Sequence, residues 1–278
     1  MLNIGHFNTL RIIRFTDHGA ILDGSGTDIL MPRNYVTPDL HVGDEVRVFV
    51  YFDQSGKPVG TLEEPLAEVG QFAFLRVAWT NRYGAFMDWG LLKDLFVPFS
   101  EQRHKMVKDR YYLIYIYIDD RTGRIVGTAK VDRCLSADFP PYRSGQEVEI
   151  IVWKHTDLGF KVIVDGKYEG LIYRDEIFRQ INVGHRQKAV VKAVRADGKI
   201  DIALQHSGWR LVDDVATLLL RELNKAEGFL PYGDHTPADE IYERFHVSKK
   251  AFKRAVGTLY KEHYILIADD GLHLAPND

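Results

Sequence analysis

The sequence predicts a multidomain, mainly β protein: three small β-barrels in series, then a C-terminal α+β domain of three helices and a hairpin. Three observations carry this reading. One strand layout recurs three times before residue 210. Each recurrence closes on a glycine-containing turn, Ser55-Gly56, Thr122-Gly123 and Asp197-Gly198, so the marks fall 67 and then 75 residues apart. Beyond residue 210 the apolar period changes from that of a strand to that of a helix.

In the first copy an alternating stretch turns near a glycine into a second strand (10–24) and leads to DILMPRNYV (28–36). A run from 43 to 62 then closes the unit. The second copy repeats this over 72–90, 95–101 and 109–130, and the third over 145–166, 169–178 and 183–205. Small turn residues between alternating runs are strong hairpin signals. Four or five short strands per copy is the count of a Greek-key barrel of the oligonucleotide/oligosaccharide-binding (OB) type. The expected segments are 1–66, 67–140 and 141–210 for the barrels and 211–278 for the last domain.

In that last segment, residues 211–228 read as a helix ending at Gly228. Thr236, Pro237 and Asp239 form a helix start, with Thr236 as the cap. Ser248 caps a third helix, whose Phe252, Ala255, Val256 and Leu259 fall on one face. Residues 264–275 then read as a hairpin. Three helices followed by a hairpin make a winged helix, with an unspecific helical cap as the alternative.

Composition excludes several classes. The 278 residues are 45% hydrophobic and 27% charged, as in a globular protein rather than a disordered or collagen-like one. No apolar run reaches the length of a membrane span, and no secretory leader is read at the N-terminus, so a cytoplasmic protein without membrane association is expected. The single cysteine, Cys134, excludes an internal disulfide. Net charge is only −3, so any polyanion must meet a local patch. The segments carry −4, +2, +3 and −4 in order, which favours the second and third barrels for that role.

The motifs RYGAFMDWG (82–90), LFVPFSE (95–101) and the DDRTGR turn (119–124) resemble the S1-type RNA-binding barrel. That family has FGAF in its second strand, GLVHIS in its third and an Asp/Gly-Arg final hairpin. The third copy keeps GLIYRDE (170–176) and ADGKIDIALQ (196–205). Three such barrels before a winged helix resemble the conserved virulence factor B family of bacterial RNA-binding regulators, over nearly the whole chain.

The resemblance implies RNA contacts at Tyr83, Phe86, Pro98, Asp120 and Arg124 in the second copy, where Pro98 replaces the family histidine. In the third copy the same positions are Leu158, Lys161, Tyr173, Arg195 and Lys199, and in the first they are His18, Ile21, Pro32, Asp53 and Lys57. The second barrel is therefore expected to stack bases and the third to hold phosphates, with Lys154 added to Lys161, Arg195 and Lys199. The first barrel reads as a spacer or protein contact. Residues 79–86 also bring Trp79 and Arg82 beside Tyr83 and Phe86, the mixture of π-faces and cations that single-stranded RNA requires. Large aromatics also fill small barrels, so a core role for Tyr83 and Phe86 stays open, and Phe72 and Phe74 read as packing.

Lys249, Lys250, Lys253 and Arg254 form a basic face on the third helix, as a helix entering a groove would show. Asp269 and Asp270 at the hairpin tip oppose phosphate approach, so RNA contact is favoured there over sequence-specific duplex DNA.

Catalysis is not expected. The eleven histidines are scattered without metal-ligand spacing. Asp119 and Asp120, adjacent on a strand, point to opposite faces, and Asp213-Asp214 fits a helix's first turn. Gly24-Ser25-Gly26 lacks the lysine and helix of a P-loop. No metal or cofactor is expected. The expected function is non-catalytic binding of single-stranded RNA, as a bacterial post-transcriptional regulator or an accessory of the ribosome or RNA-decay machinery. The alternatives are a winged-helix DNA-binding transcription regulator and a protein-interaction scaffold.

Overall fold

A computed structural model of the chain describes residues 2–53, 55–174, 177, 181–204 and 214–275. Two compact units divide it, residues 1–135 and 136–278. The expected boundary at 210/211, the acids Asp175 and Glu176 of the third copy, and Asp213 lie outside the described residues.

The first unit opens with β1 (Phe7–Thr16), β2 (Gly19–Asp23), β3 (Asp28–Pro32), β4 (Glu45–Phe52) and β5 (Pro58–Thr61). These close into a barrel in the order β1-β2-β3-β5-β4, with β3 and β5 parallel at Leu30 and Val59. The crossed order is that of a Greek key. Its interior takes every second residue of the alternating strands, including Ile12, Leu22, Ile29, Met31, Val48 and Val50.

The same order recurs in β6 (Phe72–Thr80), β7 (Gly84–Asp88), β8 (Leu95–Pro98), β9 (Tyr111–Ile118) and β10 (Ile125–Thr128). This is a five-stranded sheet, β10-β9-β6-β7-β8. It curls until Gly127 of β10 lies against Leu95 and Val97 of β8, where an added Cβ would sit 3.2 and 3.0 Å from their side chains.

The two barrels of this unit share apolar packing that the repeat pattern does not reveal. Phe49 of β4 joins the buried cluster of the second barrel, its ring edge-on to Trp89 at 5.8 Å and to Phe7 at 5.6 Å.

The second unit holds a closed barrel of β11 (Glu147–Thr156), β12 (Gly159–Val164), β13 (Tyr168–Tyr173), β14 (Arg186–Val194) and β15 (Ile200–Leu204), in the order β11-β12-β13-β15-β14. All three turn glycines have positive φ: +82° at Gly56, +67° at Gly123 and +79° at Gly198. An L side chain is strained in that region, so the dipeptides read as hairpin marks serve as hairpins.

The chain ends in α1 (Asp214–Lys225), β16 (Phe229–Leu230), α2 (Ala238–Phe245), α3 (Lys249–Lys261), β17 (Ile265–Ala268) and β18 (Gly271–Leu274). The strands form a sheet in the order β16-β18-β17, in which β16 was not expected from the sequence. Ser248 caps α3, its hydroxyl accepting from the Ala251 N–H, and Phe252, Ala255, Val256 and Leu259 are buried as their spacing requires. Thr236 is not the cap of α2. Its hydroxyl accepts instead from the Gly233 N–H at 2.8 Å, and Pro237 occupies the cap position. The largely buried Glu222 of α1 accepts from Lys225 and from Arg244 of α2, tying the two helices.

Among the described residues, no helix is long and apolar enough to cross a membrane.

Candidate nucleic-acid interface

The second barrel's site begins with a bulge. Pairing of β6 with β7 slips between Val77 and Trp79, leaving Ala78 as the extra residue. A bulge re-aims the side chain that follows it, and here it sets Trp79 opposite Phe86. The two rings stack at 3.7 Å with their planes within 4°. Phe96 of β8 lies against Phe86 at 4.9 Å. Phe86 is thus packed between two rings and supports the site from behind, while Trp79 is 44% exposed. The indole N–H donates to Asp94 Oδ2 at 2.7 Å, which fixes the ring's orientation.

Tyr83 is set by the turn between β6 and β7. Asn81 Oδ1 accepts from the N–H groups of Tyr83 and Gly84, and Asn81 N donates to Gly84 O. Such an Asx turn holds the intervening residues outward. Tyr83 is 57% exposed, with the Arg82 guanidinium over its ring at 4.8 Å. Gly84 is required beneath it: a Cβ there would stand 2.3 Å from the carbonyl oxygen of Val97.

The final hairpin departs from the expected assignment. In the first barrel Asp53 N donates to Lys57 O, and in the third Arg195 N donates to Lys199 O. The matching bond in the second barrel runs from Asp119 N to Arg124 O, because this turn is one residue longer. Asp119 therefore occupies the position assigned to Asp120, which lies exposed at the tip. The Thr122 hydroxyl donates to Asp119 at 2.6 Å and holds its carboxyl below the usual carboxylate range.

These parts meet at a groove of about 630 Å³ lined by Trp79, Tyr83, Phe86 and Arg124. Residues that motif reading missed also line it, Lys93, Asp94 and Phe96 from the second barrel and Tyr51 and Phe52 from the first, beside Asp53, the first copy's hairpin position. One signal was present in the sequence. The β7–β8 connection, 89–94, is longer than its counterparts at 24–27 and 165–167. Lys93 in that connection donates to the carbonyl oxygens of Phe52 at 2.7 Å and Asp53 at 2.9 Å. Burial pushes its pKa down, the nearby Arg124 charge adds to this, and Asp53 opposes it. Phe74, read as packing, is on the surface and stacks on Tyr111 at 5.6 Å, whereas Phe72 is buried.

The third barrel keeps the same bulge, between Val152 and Lys154, and pairs Lys154 with Lys161 where the second pairs Trp79 with Phe86. Three of the four cations expected to hold phosphate are engaged by neighbouring acids. Lys161 meets Glu169 at 2.7 Å, Arg195 meets Asp201 at 3.0 Å, and Lys199 meets Asp197 at 3.3 Å. Arg195 also lies over the Tyr173 ring at 5.6 Å, and the Tyr173 hydroxyl reaches Asp201 at 3.4 Å. A phosphate would have to compete with these carboxylates.

In the terminal domain Lys250, Lys253 and Arg254 are exposed on α3 and Lys249 is half-buried, with Lys253 paired to Asp234 at 3.3 Å. Asp269 and Asp270 form the two-residue turn between β17 and β18. Asp270 meets His273 at 2.8 Å, which holds its carboxyl below the usual range. Among the described residues, no group of three or more His, Cys, Asp or Glu side chains is placed to hold a metal ion.

Repeated OB-like barrels, an aromatic and cationic groove, and a terminal winged helix define a modular protein of the nucleic-acid-binding type. The S1 domain family matches residues 4–63 and the CvfB-like winged helix domain matches residues 217–274. The S1 match thus falls on the first barrel, the copy with the weakest set of stacking residues. Conserved virulence factor B of Staphylococcus epidermidis is 23% identical over 274 residues, covering 95% of this chain and 92% of that protein. The Bacillus subtilis protein YitL is 29% identical over 262 residues, covering 91% of this chain and 87% of that one. A solved multidomain protein with nucleic acid binding domains from Streptococcus pneumoniae is 24% identical, covers 99% of this chain and 100% of that chain, and has a TM-score of 0.44. The terminal domain thus matches the CvfB-like winged helix model, and over more than nine-tenths of its length the chain is similar to proteins named conserved virulence factor B.

Proposed function

We propose that the chain binds single-stranded RNA without catalysis, as a bacterial post-transcriptional regulator or an accessory of RNA metabolism, with the ribosome or decay machinery as the setting. The observation that carries this is the second-barrel groove, where the exposed Trp79 and Tyr83 lie with Arg124. Unpaired bases offer π-faces to such rings, and each stacked base contributes about 1–3 kcal/mol. Duplex DNA hides those faces. In this reading the third barrel and the α3 lysines add phosphate contacts, weaker in the third barrel because of its paired acids.

Affinities for an unstructured RNA and for a random duplex DNA of equal length, measured at one salt concentration, test the proposal. Tighter RNA binding is expected. Equal or tighter duplex binding would favour the exposed basic face of α3 and a DNA-binding regulator. Binding of neither would favour a protein-interaction scaffold.

A further inference from the structure

The groove has two walls, and they belong to different barrels. On one side stand Trp79 and Tyr83; on the other are Tyr51 and Phe52, at the end of β4 in the first barrel. The second wall is held in two ways. Phe49, two residues before Tyr51, is buried in the second barrel's apolar cluster and lies edge-on to Trp89. Beyond Tyr51, the Lys93 ammonium caps the carbonyls of Phe52 and Asp53 at 2.7 and 2.9 Å. The connection carrying Lys93 is itself fixed, since Trp89 Nε1 donates to the Lys93 carbonyl at 2.7 Å.

We propose that the first barrel is half of the binding site: the groove is a pocket for an unpaired nucleobase of single-stranded RNA, walled by Trp79 and Tyr83 on one side and by Phe52 and Tyr51 on the other. This rests on the RNA-binding reading above and replaces the first barrel's role as a spacer. Its volume of about 630 Å³ falls within the roughly 300–1,000 Å³ of small-molecule pockets. Arg124, at the groove and exposed, supplies charge for the attached phosphate. Lys93 is a positioning residue: its ammonium donates to main-chain oxygens of the opposite wall, so it sets the pocket's width rather than gripping phosphate.

The test uses the full chain and a ten-nucleotide oligouridylate carrying one photoreactive 4-thiouridine, with cross-linked residues mapped by mass spectrometry. Cross-links are expected at 51–53 as well as at 79–83. By anisotropy, Phe52→Ala should weaken binding about tenfold, the scale of one stacked base. Lys93→Met should weaken it comparably while leaving the salt slope unchanged, and Lys93→Arg, which can still donate to both carbonyls, should restore affinity. Cross-links confined to the second barrel, with wild-type binding by Phe52→Ala, would overturn the two-walled pocket. A slope flattened by about 0.7 in Lys93→Met would make Lys93 a phosphate contact and overturn its positioning role. Absence of oligonucleotide binding by the wild-type chain at low salt would remove the RNA reading itself, and this inference with it.

Discussion

Replacing Trp79 by alanine and, separately, by phenylalanine distinguishes what its stack and its hydrogen bond contribute. A Trp side chain presents about 250 Å². At 44% exposure, roughly 140 Å² of it is covered, chiefly by the stack on Phe86. At about 25 cal/mol per Å² this is about 3.5 kcal/mol, trimmed to about 2–3 kcal/mol for a denatured chain that is already compact. The alanine variant also loses the indole donor to Asp94, a surface hydrogen bond worth about 1 kcal/mol. The phenylalanine variant loses that donor but keeps a ring on Phe86. The chain has several barrels, so a global midpoint would mix their transitions. Native-state hydrogen exchange of the β6 and β7 amides reads the local opening energy instead. That energy should fall by about 3–4 kcal/mol in Trp79→Ala and by about 1 kcal/mol in Trp79→Phe. Equal losses in the two variants would refute the assignment of the stability to stacking.

Gly84→Ala should lower the stability of the second barrel by about 1–3 kcal/mol, because the new methyl would meet the Val97 carbonyl at 2.3 Å; the same exchange measurement checks it, and unchanged β7 protection would contradict the contact. Glu169→Gln should release Lys161 from its ion pair and strengthen single-stranded RNA binding, raising the salt slope by about 0.7, as titrations at several salt concentrations would show. In the terminal domain, Lys225 and then Arg244 hold the Glu222 carboxyl below its ordinary 4.5. A depressed folded value means that this stabilisation is present above 4.5 and is lost as pH falls through the folded value. Melting of the wild-type chain should therefore show an acid-side loss, read on α1 and α2, that Glu222→Gln lacks.

Much of the fold was legible because it is written in local signals. The turn glycines at 56, 123 and 198 have the positive φ their dipeptides imply, and the stripe Phe252, Ala255, Val256 and Leu259 is buried. Even the correspondence between copies carries over to side chains, with Arg14, Trp79 and Lys154 each following the same bulge. What was not legible depends on contacts between repeats. Phe49 lies on an alternating strand like any core residue, and nothing local says that it packs into the neighbouring barrel. Lys93 looks like a surface cation until its two carbonyl partners are placed beside it. Motif matching also works residue by residue, and the one extra residue of the 119–124 turn moved the hairpin acid from Asp120 to Asp119. The charge count of the third barrel hid the fact that each of Lys161, Arg195 and Lys199 has an acid within 3.3 Å.

The claim that the second barrel stacks RNA bases is tested most directly by the affinity of Tyr83→Ala for a short unstructured RNA. Tyr83 is more than half exposed, so its removal leaves the barrel folded, which exchange at β6 and β7 verifies in the same sample. The account predicts a loss of about 1–3 kcal/mol in binding, roughly five- to 150-fold, with the salt slope unchanged. Wild-type affinity in the folded variant would contradict it.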